Sequence, residues 1–199
     1  LTLYSYYRSS AAYRVRIALN LKNLDYRLQT LNLLAAEEKA QSYAELNPQR
    51  LVPTLEHDGR HLVQSMAILE YLEEVFPHPP LLPVDAADRA WVRGLADIVA
   101  CDIHPVNNLR ILSYLAQSFE VGEEQKLRWY RHWVAEGFDA LEARGDGWLL
   151  PPEARLIRAL CLAGQGKHRE ARRILLRTGD SRFEEAIDAT LERVAPPTR

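Results

Sequence analysis

A proline-rich stretch divides the chain into two parts of different pattern. Four of the seven residues at 77–83 are proline, and neither a helix nor a strand interior accommodates them, because proline lacks an amide hydrogen and its ring fixes φ. Short, turn-punctuated segments precede the stretch, and long segments of helical periodicity follow it. We therefore predict an α/β domain over residues 1–76, a stiff linker over 77–84 and an all-helical domain over 85–199.

Hydrophobic spacing predicts the order of elements in each part. Runs of β-branched, aromatic and leucine residues indicate strands, and apolar residues three or four apart indicate helices. Before the linker, the predicted order is βαβαββα, with strands at residues 1–6, 25–29, 53–56 and 61–63, a hairpin turn at 57–60, and helices at 11–22, 35–46 and 65–76. After the linker, we predict long helices at 85–119 and 123–144 and shorter ones as far as residue 194.

Composition excludes several classes of function. The 199 residues carry a net charge of −2 and are 47% apolar and 26% charged, so we expect a soluble globular protein without a nucleic-acid partner. No run approaches the roughly 18 apolar residues of a membrane span, and no leader pattern precedes the first strand. Cys101 and Cys161 lack metal-ligand spacing. We therefore expect no membrane segment, no metal site and a reduced, cytoplasmic protein.

Two serines, Ser9 and Ser10, stand between the first predicted strand and the first predicted helix. Free amides and the helix dipole make such a terminus favourable for an anion. If that anion is a thiolate, lowering the thiol pKa by about two units takes roughly 2.7 kcal/mol. A hydroxyl hydrogen bond to a charged acceptor supplies about 1.5–3 kcal/mol, and the helix terminus about 0.3–1 kcal/mol. The pair therefore suits a thiolate site, and it equally suits simple helix capping.

Two further elements suit a peptide-like ligand. Val52-Pro53 opens the third predicted strand, where a cis bond would turn the chain and leave the Val52 backbone groups for an extended ligand. Gln64-Ser65 opens the next helix, where a capping serine, its amide and the helix terminus suit a carboxylate. Each element alone is more typical of ordinary structure, whereas all three in this order favour a ligand site.

Several segments resemble the zeta class of glutathione transferases. The resemblance extends over about residues 1–142. Residues 101–110 (CDIHPVNNLR) resemble bacterial members that isomerise maleylpyruvate or maleylacetoacetate. The segments that resemble the class motif or the glutathione site of the superfamily are residues 4–10, 13–19, 47–49, 52–53 and 64–74.

The resemblance implies a thioredoxin-like first domain that binds glutathione, an all-helical second domain and a homodimer. By the family's pattern, Ser10 or its neighbour Ser9 would hold the glutathione thiolate. The other implied contacts are Val52, preceding Pro53, with the cysteinyl backbone; Gln64 and Ser65 with the γ-glutamyl carboxylate; Gln49 with the glycyl end; His104 and Asn108 with the glutathione or substrate edge; and Arg8 and Arg110 with substrate carboxylates.

The implied activity is glutathione-dependent cis–trans isomerisation of a small dicarboxylate enone, with glutathione as a regenerated cofactor. Two other functions stay open. One is a general transferase or peroxidase that acts on electrophiles, and the other is a non-catalytic binding module of the same fold. Arg8 and residues 101–110 favour the isomerase, whereas intact Ser9-Ser10 and Gln64-Ser65 argue against the binding module.

The chain departs from the family pattern at two places. Ala11-Ala12 replace the Cys-Ser pair that commonly follows the two serines, which removes the chemistry of that cysteine and leaves the hydroxyl. The tail, residues 143–199, lacks the expected Gly-Asp-x-Pro turn and helix-capping segment, and we expect it to affect the second domain more than glutathione binding. Within the tail, Arg173 is the candidate for a further carboxylate-binding arginine.

Overall fold

A computed structural model describes residues 1–145. These residues belong to two compact units, and the division between them along the chain falls between Leu82 and Pro83, inside the proline-rich stretch. The sequence predictions for the atypical tail, including Arg173, lie outside the described residues, as does Cys161. The predicted extent of the second domain, as far as residue 199, therefore stays a prediction.

The first unit has the predicted βαβαββα order, which is a thioredoxin-like arrangement. Its four strands form one sheet in the order β2-β1-β3-β4, with β1 parallel to β2 and antiparallel to β3, and with β3 antiparallel to β4. Its elements are β1 (Thr2–Ser5), α1 (Ser10–Leu21), β2 (Arg27–Thr30), α2 (Gln41–Leu46), β3 (Thr54–His57), β4 (Arg60–Val63) and α3 (Ser65–Val75).

The core of this unit lies between the sheet and the pair of helices α1 and α3. Each fully buried leucine, isoleucine or valine contributes about 1.5–3 kcal/mol relative to an exposed side chain. The apolar residues of α1 and α3 recur at helical spacing, so each helix has an apolar face. Both faces pack against the apolar face of the sheet. The buried core residues are Leu3, Val15, Ala18, Leu19, Leu55, Ile68 and Leu72.

The predicted hairpin turn at 57–60 is confirmed. His57 pairs with Arg60 across the end of the hairpin, so the loop between them has two residues. Asp58 and Gly59 have φ values of 49° and 73°, the combination that a two-residue hairpin turn with the right-handed strand twist requires. An Asp-Gly pair supplies it at the lowest steric cost.

The predicted single helix at 35–46 is wrong. Two short 3-10 turns, Leu33–Ala35 and Glu37–Lys39, precede α2, which begins only at Gln41. Ala36 separates the turns with a left-handed φ of 57°, so the helical hydrogen-bond ladder cannot pass through it.

The second unit is helical, as predicted, but the predicted continuous helix at 85–119 is wrong. The helix is interrupted between His104 and Asn108, because Pro105 cannot donate to the ladder and the Asn108 side chain accepts the Arg110 amide and starts a new helix. Asp85 caps the first helix by accepting amides from Ala87 and Asp88. The elements are α4 (Ala86–Asp97), a π-helical segment (Ile98–Ile103), α5 (Leu109–Phe119) and α6 (Glu123–Gly145).

Packing of α6 against the π-helical segment depends on a glycine. Gly137 is buried, and a Cβ atom there would overlap Cγ1 and Cδ1 of Ile103, which is itself 7% exposed.

In the part of the chain that the structure describes, no helix is long and apolar enough to cross a bilayer.

Gly137→Ala is expected to destabilise the protein by about 1–3 kcal/mol, because the added methyl group overfills a packed contact. Gly122→Ala is the matched control, since a Cβ there would meet only the Gln125 Oε1 atom, at 3.8 Å. Urea unfolding of both variants measures the difference. Equal stabilities of the two would show that α6 and the π-helical segment do not approach closely.

Candidate functional site

Three segments that the sequence singles out lie at one end of the sheet of the first unit. Tyr4 pairs with Thr54, and Thr54 pairs with Val63. Because β1 and β3 are antiparallel, as are β3 and β4, the residues after β1, before β3 and after β4 all lie at this end. The end of the sheet therefore brings together Ser9-Ser10, Val52-Pro53 and Gln64-Ser65.

The serine pair forms the start of α1. Ser9 is the N-cap, with extended backbone angles, and its Oγ accepts the Ala12 amide at 3.2 Å. Ser10 is the first helical residue, and both serines are half-buried. Capping is thus assigned to Ser9, while Ser10 lies in the first turn, where amides and the helix dipole favour an anion.

The connection that precedes β3 carries the Val52-Pro53 pair. The peptide bond between them is cis, as expected for a backbone that turns sharply into the strand. Pro53 is buried and Val52 half-buried. The buried proline fixes the turn, and Val52 stays at the surface.

Three polar side chains hold this connection in place, and we call Tyr43, Asn47 and Thr54 the loop cluster. Asn47 Nδ2 donates to the Leu51 carbonyl at 2.7 Å and to Thr54 Oγ1 at 3.2 Å. The Tyr43 hydroxyl donates to the same carbonyl at 2.6 Å and lies 2.8 Å from Thr54 Oγ1. All three side chains are at most 3% exposed. Buried polar groups satisfied in this way fix one backbone conformation.

The sequence reading missed the loop cluster. The predicted helix at 35–46 ends before Asn47, and residues 47–49 entered only through the family resemblance, although an asparagine in that place can also bind the backbone of the next turn. Here Asn47 Oδ1 accepts the Gln49 amide at 3.0 Å, which is such a turn. The burial of Tyr43 and Thr54 has no local signal in the sequence.

Gln64-Ser65 differs from the prediction in one respect. Ser65 is not the cap of α3 but its first helical residue, and Gln64 occupies the cap position with φ 69° and ψ 114°. Among the described residues, no side chain caps α3, so its first amides are turned towards the end of the sheet without a side-chain acceptor. A left-handed glutamine costs of order 1–3 kcal/mol and occurs at ligand sites more often than elsewhere.

Gln49 and Gln64 are joined directly. Gln64 Nε2 donates to Gln49 Oε1 at 2.8 Å, and both side chains are exposed. The residues predicted for opposite ends of an extended ligand therefore lie beside each other at the same surface.

The arginine and second-unit candidates are positioned as follows. Arg8 is exposed on the connection between β1 and α1. In the second unit, His104 follows the π-helical segment, Asn108 caps α5, and Arg110 is exposed in its first turn. The capping bond, Asn108 Oδ1 to the Arg110 amide at 3.0 Å, gives Asn108 a structural role. Ligand contacts of His104, Asn108 and Arg110 stay predictions.

Metal ligation has no candidate in residues 1–145, where no group of three or more histidine, cysteine, aspartate or glutamate side chains has the required arrangement.

Comparison with known proteins identifies the family. Residues 1–74 match the model of the glutathione S-transferase N-terminal domain. A probable maleylacetoacetate isomerase of Vibrio cholerae is 51% identical over 147 residues, which are 72% of this chain and 68% of that protein. The maleylpyruvate isomerase of a Ralstonia species is 48% identical over 71% of this chain and 66% of its own length. The match thus spans about two-thirds of each relative.

Solved structures agree with the sequence matches. A bacterial zeta-class maleylpyruvate isomerase in its holo form has 38% identity and a TM-score of 0.81, with both chains covered completely. The maleylacetoacetate isomerase of Methylobacterium extorquens, with bound malonate and glutathione, has 32% identity, a TM-score of 0.85 and the same coverage. The chain belongs to the glutathione transferase family, in the zeta class that includes the maleylacetoacetate and maleylpyruvate isomerases.

Proposed function

We propose that this protein is a glutathione-dependent cis–trans isomerase whose substrate is a small dicarboxylate enone of the maleylacetoacetate or maleylpyruvate type. The observation that carries the proposal is the convergence of Ser9-Ser10, Val52-Pro53 and Gln64-Ser65 at one end of the sheet. The relatives at about 50% identity, which are named as a probable maleylacetoacetate isomerase and a maleylacetoacetate isomerase, support the activity. Cytoplasmic location and a homodimeric state are further parts of the proposal.

Glutathione is an extended tripeptide with one carboxylate at each end, and the site offers a matching group for each part. The backbone of Val52, turned outward by buried Pro53, pairs with the cysteinyl backbone as an added strand does. The uncapped amides of α3, with Gln64 and the Ser65 hydroxyl, bind the γ-glutamyl carboxylate. Gln49 is the residue proposed for the glycyl end, so its hydrogen bond to Gln64 has to open when the two side chains contact opposite ends of the ligand. Bound glutathione in a relative of known structure supports glutathione as the ligand.

The cysteinyl sulfur lies at the start of α1, where it is held as a thiolate. The Ser10 hydroxyl donates a hydrogen bond to the sulfur, and the helix terminus adds its partial positive charge. Together these contributions reach the roughly 2.7 kcal/mol that a two-unit fall in thiol pKa takes. Ser9 supports the arrangement by capping the helix.

The thiolate then serves as a nucleophile. Sulfur forms a bond to one carbon of the cis double bond, and the displaced electron pair moves onto the conjugated carbonyl as an enolate. The former double bond is now single and rotates. When the enolate collapses, the carbon–sulfur bond breaks, the trans alkene forms and the thiolate is regenerated. No proton or electron is consumed.

Arginine side chains bind the carboxylates of the substrate and stabilise the enolate charge. Arg8 is adjacent to the serine pair and exposed, which suits bidentate carboxylate binding. Arg110 has the same proposed role from the second unit, where His104 and Asn108 contact the glutathione or substrate edge. An alanine variant of any of these four residues that leaves both KM and kcat unchanged would remove that residue from the site.

Asn47→Ala is expected to weaken glutathione binding by about tenfold or more, because it leaves the buried Leu51 carbonyl and Thr54 hydroxyl short of a donor and frees the connection that carries Val52. Isothermal titration with glutathione measures the loss. Gln41→Ala is the control, since Gln41 is an exposed residue of α2 whose side chain bonds only Glu45, at 3.4 Å. Equal glutathione affinities of the Asn47→Ala and Gln41→Ala variants would show that the loop cluster does not support glutathione binding.

The proposed function is tested by two measurements on one preparation. Glutathione titration examines the site of the first unit, and conversion of a maleyl substrate examines the chemistry. Binding without conversion would favour the general transferase on electrophiles, and an absence of binding at millimolar glutathione would favour a non-catalytic module.

A further inference from the structure

Arg16 of α1 is completely buried, with no exposed surface. Its Nη1 atom donates to Ser5 Oγ at 2.6 Å and to the Tyr6 carbonyl at 3.4 Å, and Nη2 donates to the Tyr7 carbonyl at 3.3 Å. The side chain thus holds three successive residues where β1 ends. These residues lead directly to Ser9, so the guanidinium fixes the path of the chain into the proposed thiolate site.

Within the described residues 1–145, the charge of Arg16 has no counter-ion. None of the ion pairs formed among residues 1–145 involves it, and its guanidinium carbon lies 5.2 Å from the centroid of the Tyr13 ring. Burial lowers the pKa of Arg16 to about 10, so the group stays protonated at neutral pH. A buried cation without a counter-ion is costly. When such a cation lies beside an anion site, the bound anionic ligand supplies the missing negative charge.

We propose that Arg16 is a positioning residue that also adds positive potential at the start of α1 and so lowers the pKa of the glutathione thiol bound there. The inference rests on the proposed binding of glutathione at Ser9-Ser10. Helical side chains lean towards the N-terminus of their helix, and the bonds to Ser5, Tyr6 and Tyr7 place the guanidinium beside that end. A low-dielectric interior screens a unit charge only weakly, so the charge of the buried guanidinium acts on a sulfur bound at the start of α1.

Other titratable groups surround this centre. The phenols of Tyr13 and Tyr26 act on the charge of Arg16. The other ionisable groups on the neighbouring elements lie on β1, on the connection to α1, on α1 with its C-cap, and on α3: Tyr4, Tyr6, Tyr7, Arg8, Arg14, Lys22, Glu70, Tyr71, Glu73 and Glu74. All of them are unchanged in the variants below, so a difference between variants reports the charge at position 16.

The test is the pKa of the bound glutathione thiol, read from the ultraviolet absorbance of the thiolate as pH is varied. Arg16→Gln removes the charge and keeps a hydrogen-bond donor, and we expect the thiol pKa to rise by about one unit. Arg16→Lys keeps the charge, and we expect the pKa to stay near that of the parent. A parent-like pKa in Arg16→Gln would overturn the inference, whereas a parent protein that binds no glutathione would overturn the proposed function instead.

A second pair of variants decides the question if Arg16→Gln does not fold. Ser5→Asp places a negative charge against the guanidinium and leaves the arginine in position, while Ser5→Asn has nearly the same shape without the charge. We expect the thiol pKa to rise in Ser5→Asp and to stay close to that of the parent in Ser5→Asn. Equal pKa values in the two would show that charge at this place does not reach the sulfur.

Discussion

Replacing Ser10 by alanine is expected to slow isomerisation by roughly 10²–10³-fold at saturating substrate. Ser10 is the first helical residue of α1, where we propose that its hydroxyl donates to the glutathione thiolate. Without that bond, more of the bound glutathione is protonated at neutral pH, and a thiol is a much weaker nucleophile than a thiolate. We expect the rate of the variant to recover partly as pH rises, because the thiol then ionises without help.

Ser9→Ala is the matched control for this variant. Ser9 caps α1 through the Ala12 amide, so its loss is expected to cost about 1 kcal/mol of stability and far less turnover than the loss of Ser10. Kinetics and urea unfolding of both variants separate the two roles. A larger loss of turnover in Ser9→Ala than in Ser10→Ala would show that Ser9 makes the thiolate contact. Parent-like turnover in both variants would show that the backbone amides make it.

Lys22→Met is expected to lower the free energy of unfolding by about 3–5 kcal/mol. Lys22 is fully buried, and its Nζ atom lies 2.7 Å from Glu73 Oε2. The ammonium also donates to the Phe76 and Pro79 carbonyls at 2.7 and 3.1 Å. Glu73 in turn accepts the Leu81 and Leu82 amides. Removing the cation leaves a buried carboxylate unpaired and releases the stretch that follows α3.

Two further variants control this result. Lys126→Met removes an ion pair with Glu123, whose side chain is 92% exposed, and surface pairs of this kind contribute only about 0–1 kcal/mol. Lys22→Met combined with Glu73→Gln removes both buried charges and is expected to regain part of the loss. Urea unfolding measures all three. A Lys22→Met protein as stable as Lys126→Met would mean that the linker is not fastened through this pair.

Local sequence signals predicted those parts of the site that depend on backbone chemistry. The Asp58-Gly59 turn and the serine cap of α1 each follow from a residue type that favours one conformation, and Pro53 marks the kind of bond at which a cis form is least costly. Once the strand order is known, antiparallel pairing alone brings the three segments to one end of the sheet. For this reason the ligand site was predictable from the order of its elements.

The features that the sequence did not predict depend on tertiary contacts. Ala36 is left-handed although alanine is the best helix former, so no propensity signals the break at that position. Arg16 and Lys22 are buried, whereas a charged residue in a helix is usually solvated. Their burial depends on carbonyl groups of the neighbouring connections, which periodicity does not reveal. Pro105 did carry a signal for the break after the π-helical segment, since helices usually end before a proline.

The central claim is most directly tested by the loss of absorbance of maleylacetoacetate and of maleylpyruvate at neutral pH, with and without glutathione. We predict conversion of at least one of the two that requires glutathione and leaves the glutathione concentration unchanged. No conversion of either compound, by protein shown to bind glutathione, would contradict the isomerase assignment.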